Sequence, residues 1–289
     1  MKKLDGLPFN QPNGMLLGIS DKEFSQLSHL IYKKFGIHLT ERKRTLLVSR
    51  LQKKILFDGF TSFQDYYEAI LADRSQRFLV ELVNLITTNT TFFYREKPHF
   101  DFFVQTALPE FEKRLKTEKR NDVRVWTAGC STGEEPYLLA ILMEEYFGAS
   151  YARWDAGVLA TDISHRTIEK AQTGLYSRES VKPIPGELIR KYFDKVNSDK
   201  WKVKKRVIED VTFRRFNLMN KHFPFKKAFH VIFCRNVMIY FDEPTRVELI
   251  QKFHALLEPG GYFVIGHSES LGRRQNLFKY IQPSVYQKF

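Results

Sequence analysis

Between residues 123 and 147 the order of residues leaves one economical arrangement: strand, turn, helix. Val123-Arg124-Val125-Trp126-Thr127 is an apolar run, Ala128-Gly129-Cys130-Ser131-Thr132-Gly133-Glu134-Glu135-Pro136-Tyr137 follows it, and a helical pattern continues from Leu138 to Phe147. A strand that passes through a small-residue turn into a helix lets the backbone approach a nucleotide-like ligand closely. Gly129 and Gly133 supply the conformational freedom for that approach. Most such turns hold dinucleotides or phosphates. Here Glu134 and Glu135 stand where an anion would sit, and the turn has no lysine. The expected ligand is therefore a cationic or neutral nucleoside, which points to S-adenosylmethionine.

The rest of the chain is large enough to surround such a site. Its 289 residues, 43% hydrophobic and 15% aromatic, suffice for a full core and two domains. An excess of 46 Lys+Arg over 33 Asp+Glu implies an acidic partner or substrate. Cys130 and Cys234 do not make a disulfide framework, which fits a reducing cytoplasm. Asp5, Gly6, Pro8 and Asn10 interrupt any signal-peptide core. No stretch reaches the roughly 18 apolar residues of a membrane span. A soluble cytoplasmic protein is the expectation.

Residues 1–18, rich in Gly, Pro and Asn, read as a loose extension. Ser20-Asp21-Lys22-Glu23 is a capping box, with Phe24, Leu27, Ile31 and Phe35 at helical spacing and Gly36 as the stop. Thr40 is expected to cap a second helix, Glu41–Leu56, and Asp58-Gly59 to end it. Thr61 or Ser62 opens a third, and a fourth runs from about Ser75 to Ile86. Residues 19–88 thus read as an all-helical domain. Its second helix holds six Lys/Arg and one Glu between 41 and 54. On a helical wheel Arg42, Lys43, Arg50, Lys53 and Lys54 share one arc, opposite Leu47, Val48, Leu51 and Ile55. That arc is either a solvated face or a docking surface for an acidic partner.

Residues 89–120 read as a linker and connecting helix, Phe100–Lys116. From 121 to 289 strand and helix patterns alternate, which implies an α/β domain with a mostly parallel sheet. Strands are expected at Val123–Thr127, Gly157–Thr161, Val211–Phe216, His230–Cys234, Tyr262–Gly266 and Lys279–Phe289. Over about 188–210 the rhythm breaks. Tyr192-Phe193 and Trp201-Lys202-Val203 flank the turn formers Asn197-Ser198-Asp199, predicting an inserted hairpin.

Four stretches fall where such a sheet gathers ligand groups, at the carboxyl ends of its strands. The opening turn is one. Asp162, 29 positions after Gly133 at the tip of the next strand, suits a ribose diol or caps the following helix. Cys234-Arg235-Asn236-Val237-Met238-Ile239-Tyr240-Phe241 clusters polar groups after a buried strand, which is costly unless they serve a site. Thr87-Thr88-Asn89-Thr90-Thr91-Phe92-Phe93-Tyr94-Arg95-Glu96 sets hydroxyls beside aromatics and closes with a charged pair.

Those strings, together with Thr-Asp-Ile-Ser (161–164) and Gly-His-Ser-Glu (266–269), closely resemble the chemotaxis receptor methyltransferases, the CheR family, over residues 20–288. The resemblance implies a class I S-adenosylmethionine-dependent methyltransferase (Rossmann-like) domain with a small inserted β-subdomain, preceded by the all-helical domain. It implies methyl transfer from S-adenosylmethionine to glutamates on the cytoplasmic helical bundle of chemoreceptors, in sensory adaptation. It places cofactor contacts on Asn89, Thr91, Arg95, Glu134, Asp162, Asn217, Leu218, Arg235 and Asn236, with Glu135 as the alternative to Glu134. Arg95 and Tyr240 would face the methyl transfer. Receptor docking would fall on Arg42, Lys43, Arg50, Lys53 and Lys54. In some relatives a Gly-containing loop of the β-subdomain captures a receptor tail peptide. The turn at 194–200 holds no Gly, so methylation independent of the tail is expected.

Other chemistry finds less support. An amino-group RNA methyltransferase would carry an Asp/Asn-Pro-Pro-aromatic turn in place of Cys-Arg-Asn-Val-Met-Ile-Tyr, and no RNA-binding module is visible. A non-catalytic binder of S-adenosylmethionine would not need every matched site residue. Cys130 and Cys234 read as packing residues rather than nucleophiles. The eight histidines show no metal-ligand spacing, so no metal is expected. Neither nucleic acid nor membrane insertion is expected, and the protein should be a monomer.

Overall fold

The computed structural model describes residues 17–87, 90–272 and 275–289. The extension read at 1–18 and the cofactor residue Asn89 thus lie wholly or mostly outside the described residues. The chain divides into two units. One holds Leu39–Ile86 together with the first helix as far as Leu30; Ile31–His38 belong with Thr87–Phe289 in the other.

Helix α1 (Asp21–Phe35) starts from the capping box. Glu23 Oε2 accepts from Ser20 N at 2.8 Å while Ser20 Oγ accepts from Glu23 N at 3.3 Å. The second helix departs from expectation: Glu41–Lys43 form a 3-10 turn and α2 spans Arg44–Phe57, without a side-chain cap from Thr40. Ser62 Oγ caps α3 (Phe63–Ala72) by accepting from Asp65 N. Helix α4 (Arg77–Ile86) buries Leu79, Val80, Leu82, Val83 and Ile86, and in α2 Leu47, Leu51 and Ile55 are buried.

In the second unit, α5 (Pro98–Phe102) continues through a π-helical turn, Phe103–Ala107, into α6 (Leu108–Thr117). The elements then run β1 (Asp122–Ala128), α7 (Glu134–Phe147), β2 (Asp155–Asp162), α8 (His165–Thr173), β3 (Leu175–Ser177), α9 (Arg178–Val181), α10 (Gly186–Tyr192), β4 (Phe193–Lys195), β5 (Lys200–Val203), α11 (Lys205–Glu209), β6 (Val211–Arg215), β7 (Phe229–Cys234), α12 (Glu243–Leu256), β8 (Leu257–Ile265), β9 (Phe278–Gln282) and β10 (Val285–Lys288).

The main sheet has the order β6-β2-β1-β7-β8-β10-β9. Its first five strands pair in parallel, and β10 runs antiparallel to β8 and β9. The strand order reverses at β1, where open α/β sheets place their ligands. Side chains alternate between two cores, as strand geometry requires. Val123, Val125, Val231, Phe233, Tyr262 and Val264 face the core that includes α7. Trp126, Ala128, Ile232, Cys234, Phe263 and Ile265 face the core that includes α12.

Two expectations need correction. The segment Lys279–Phe289 is a hairpin of two strands, with Ser284 at φ 64 in its turn. The inserted subdomain begins at Leu175, well before 188, because β3 pairs with β5 to complete a small sheet of order β3-β5-β4. The anticipated hairpin is its other half: β4 and β5 are antiparallel, and Asn197 Oδ1 accepts from Asp199 N and Lys200 N.

Candidate active site

The turn between β1 and α7 is shaped by left-handed backbone at Gly129 (φ 90), Ser131 (φ 49) and Gly133 (φ 93). A Cβ on Gly133 would lie 2.8 Å from Ala171 Cβ and 2.9 Å from Tyr176 Oη; one on Gly129 would overlap Val237. The turn is therefore gripped by α8 and β3 on one side and by the loop after β7 on the other. Thr161 O accepts from Gly129 N and Cys130 N, and Tyr176 Oη donates to Thr132 O at 2.7 Å. This packing leaves room for backbone alone, which is the requirement for a cradle around a nucleoside.

Three carboxylates surround that turn. Glu134 is 4% exposed, and its Oε2 accepts from Thr132 Oγ1 at 2.6 Å. Glu135 Oε2 instead accepts from Arg235 Nη1 at 2.7 Å. Asp162 ends β2, its Oδ2 accepting from Ser131 N and its Oδ1 from Ser164 N, each at 2.9 Å. Ser164 Oγ caps α8 from below by accepting from Thr167 N, so Asp162 is not that helix's cap. Burial pushes all three carboxyls above their ordinary range. Desolvated acids of this kind favour a cation beside them.

The loop after β7 is pinned at several points. The Arg235 side chain is 3% exposed, lies 3.2 Å from Glu96 Oε2, donates to Arg95 O, and stacks over Phe100. Asn236, at φ 58, donates its N–H to Glu269 Oε2 at 2.8 Å and its Nδ2 to Glu96 Oε1 at 3.3 Å. Glu269 also accepts from Ile239 N and Gly266 N. Tyr240 ends a 3-10 turn, Met238–Tyr240, and its carbonyl accepts from His38 N.

Arg95 sits between Tyr94 and Glu96, both left-handed at φ 60 and 58, and gives Nη1 to Thr90 O at 2.8 Å. Thr91 is half-buried on the same segment. Burial tends to raise the Glu96 carboxyl, but Arg235 and Asn236 outweigh it and hold it below the ordinary range. Asn217, just past β6, donates Nδ2 to Lys34 O and accepts from Met219 N, both at 2.9 Å, while Leu218 packs on the α12-side core.

The structure thus joins Arg95, Glu135, Arg235 and Asn236 directly, and places Glu134, Asp162 and Asn217 at neighbouring strand ends. Sequence reasoning did not nominate Glu96 or Glu269, the acceptors that tie these segments together. In the sequence each does no more than close a motif, Glu96 ending the string from Thr87 and Glu269 the string from Gly266.

On α2 the basic arc is only partly displayed. Arg42 and Lys53 are exposed and Lys43 is half-buried. Arg50 turns back to donate to Leu85 O at 3.0 Å, and Lys54 pairs with Asp58 and Glu81. The outward face carries Leu46 and Phe57 instead, Phe57 at 87% exposure. This face is mixed, basic and apolar.

The family description "CheR methyltransferase, all-alpha domain" matches residues 22–87, and "CheR methyltransferase, SAM binding domain" matches 89–287. The chain belongs to the CheR methyltransferase family. It is 39% identical over 272 residues to a chemotaxis protein methyltransferase of Borreliella burgdorferi, covering 94% of this chain and 96% of that one. The Escherichia coli protein of that name is 33% identical, covering 93% and 92%, and a probable one of Rhizobium etli 36%, covering 89% and 96%. This CheR methyltransferase is an S-adenosylmethionine-dependent enzyme. The glycine cradle, the buried Glu134 and the half-buried Glu135 and Asp162 fit a nucleoside that carries a sulfonium. Among the described residues no helix is long and apolar enough to cross a membrane.

Proposed function

We propose that this chain esterifies glutamate side chains of chemoreceptors with the methyl group of S-adenosylmethionine. The observation that carries the reading is the match to chemotaxis protein methyltransferases over more than nine-tenths of both chains. When bound, S-adenosylmethionine supplies a methyl group on a sulfonium, a strong leaving group. A glutamate near neutral pH is already ionised and needs no general base. The protein's work is then proximity and in-line orientation.

The residue roles proposed here come from the family resemblance, and the hydrogen bonds and burial given above support them in part. Glu134 holds the cationic or ribose end of the cofactor, since Glu135 is spent on Arg235. Asp162 receives the ribose diol. Asn217 and Leu218 meet the base, and Thr91 and Asn236 line the remaining wall; a cofactor contact by Asn89 rests on the family resemblance alone. Arg235 acts by holding that wall together as much as by touching the ligand. Arg95 holds the incoming carboxylate and the Tyr240 hydroxyl orients it. Too strong a clamp by Arg95 would stabilise the anionic ground state and slow transfer.

Docking to the acidic face of a receptor bundle falls to Arg42, Lys43 and Lys53, with Leu46 and Phe57 adding apolar contact. We read the enzyme as a cytoplasmic monomer, acting at receptor arrays and independent of a receptor tail peptide, with no role for nucleic acid. Incubation with labelled S-adenosylmethionine and receptor-bearing membranes should yield base-labile methyl ester on receptor glutamates. Base-stable label, or label on another acceptor, would overturn the assignment.

A further inference from the structure

Three ligating side chains meet where the start of α5 and the residue pair before it approach the segment just after β8. One ligand atom each from Glu96, His99 and His267 lies within 4.8 Å of the others. His99 Nδ1 is 3.5 Å from Glu96 Oε2. The two imidazoles stand edge to face with centroids 4.7 Å apart. His99 is 1% exposed, yet neither of its ring nitrogens has a hydrogen-bond partner. Every neutral imidazole carries one donor and one acceptor, and burying both unpaired is unfavourable. His267 is exposed, so the cluster opens to solvent on that side.

We propose that Glu96, His99 and His267 bind a first-row divalent cation of the zinc type, and that the bound ion inhibits methyl transfer. Two imidazole nitrogens with one carboxylate oxygen suit Zn2+ or Co2+ and not the hard, all-oxygen preference of Mg2+ or Ca2+. Ligand atoms of a tetrahedral zinc site lie about 3.4 Å apart. The pair His99 and Glu96 already meets that spacing, and rotation of the exposed His267 ring closes the remainder. His267 is 168 positions from His99 in the chain, so no local spacing rule reveals the set.

Arg235 explains why the ion would inhibit. Its Nη2 is 3.2 Å from the same Glu96 oxygen. A dication on that oxygen competes with the guanidinium and loosens the arm between Arg235 and Glu96. Arg235 also holds the Arg95 carbonyl, so the disturbance reaches the group proposed to clamp the substrate. Sharing the carboxylate with Arg235 limits affinity to the micromolar range. The inhibitory part rests on the role proposed above for Arg95; the binding part does not.

The test uses the full chain with Zn2+ or Co2+ alone. Competition against a chromophoric chelator should give one saturable micromolar Zn2+ site, and Co2+ should show d–d absorption of a nitrogen- and oxygen-ligated ion. His267→Ala keeps the backbone N–H that Glu96 accepts, so it removes a ligand without cutting that tie. It should weaken Zn2+ at least tenfold and abolish the Co2+ bands. Methyl transfer by the unaltered chain should fall as Zn2+ saturates, and that inhibition should vanish in His267→Ala. Absence of a saturable site, or binding that His267→Ala leaves unchanged, overturns the site. Binding through His267 with undiminished turnover overturns the inhibition. Because binding is read without turnover, a chain that methylates nothing still decides the metal question.

Discussion

Arg235 and Glu135, 100 positions apart, meet at 2.7 Å and lock the loop after β7 to the first turn of α7. The other side of the same guanidinium faces Glu96 and the Arg95 carbonyl. One buried cation therefore fixes three segments of the candidate site. Buried ion pairs add little net stability over a well-packed apolar replacement, but removing one partner strands the other charge.

Arg235→Met should therefore destabilise the methyltransferase unit by about 3–5 kcal/mol. Arg235→Met combined with Glu135→Gln should recover part of that loss, because one stranded carboxylate is gone. Thermal unfolding followed by tryptophan fluorescence reads both. A single variant as stable as the parent would show that the pair does not hold the loop.

Glu134 and Glu135 are adjacent but hold different partners, Thr132 and Arg235. Glu134→Gln should weaken S-adenosylhomocysteine binding tenfold or more in calorimetric titration while leaving thermal stability nearly unchanged. Glu135→Gln should do the reverse, lowering stability with a smaller effect on affinity. The opposite pattern would exchange the two assignments.

Arg95→Ala should collapse turnover far more than affinity for S-adenosylmethionine, since the side chain is assigned to the incoming carboxylate. Removal of Tyr240's hydroxyl by Tyr240→Phe should lower turnover in the same sense by a smaller factor. Single-turnover rates beside equilibrium binding separate the two quantities. Rates unchanged in Arg95→Ala would reject the role.

His230 is fully buried, and its Nδ1 accepts from Arg124 N at 3.0 Å. Burial lowers its pKa from 6.5 to about 4, against the opposing pull of Glu258. A lowered base makes its contribution above the unfolded value and loses it on acidification. Between pH 6.5 and about 4 the unfolded chain binds a proton at this residue that the folded chain does not. The cost approaches about 1.4 kcal/mol per pH unit. The raised carboxyls Glu134, Glu135, Asp162 and Glu269 contribute the opposite sign, so the informative quantity is a difference. His230→Asn retains an acceptor for Arg124 N, and its urea midpoint should fall less steeply with acid than the parent's. Equal slopes would remove His230 from the acid response.

The turn of the small sheet is closed by Asn197 and contains no glycine. A receptor tail peptide titrated against the protein should leave its tryptophan fluorescence unchanged. Micromolar binding would show that this turn captures tails after all.

Local chemistry wrote most of this fold plainly. The capping box at Ser20, the strand-turn-helix at Ala128–Tyr137 and the Asn197 turn all depend on residues a few positions apart, and each formed as its side chains dictate. What stayed hidden was long-range. Nothing near Glu96 announces that Arg235, Asn236 and the His267 amide all converge on it. The strand β3 has three residues and gains its identity only by pairing with β5. Lys54 and Arg50 belong to a basic arc by helical angle, yet α4 and its surroundings supply the acceptors that draw them in. The split of Phe278–Lys288 into two strands turned on Ser284, a residue that rarely takes the left-handed backbone it adopts there.

The pairing of β1 with β7 also bears on how the protein is made. Their partners lie more than 100 positions apart, as in Val125 with Val231. During synthesis at roughly 5–20 residues per second, β1 emerges and waits on the order of 5–20 s for its second neighbour. In that interval β2 can join one edge of β1, and β6 can add to β2, while the other edge of β1 presents Val125, Trp126 and Thr127 unpaired. The strand that leads into the Gly129–Gly133 turn is thus the one the nascent chain leaves open longest, and the ribosome-bound protein should draw on chaperones there before the candidate site has formed.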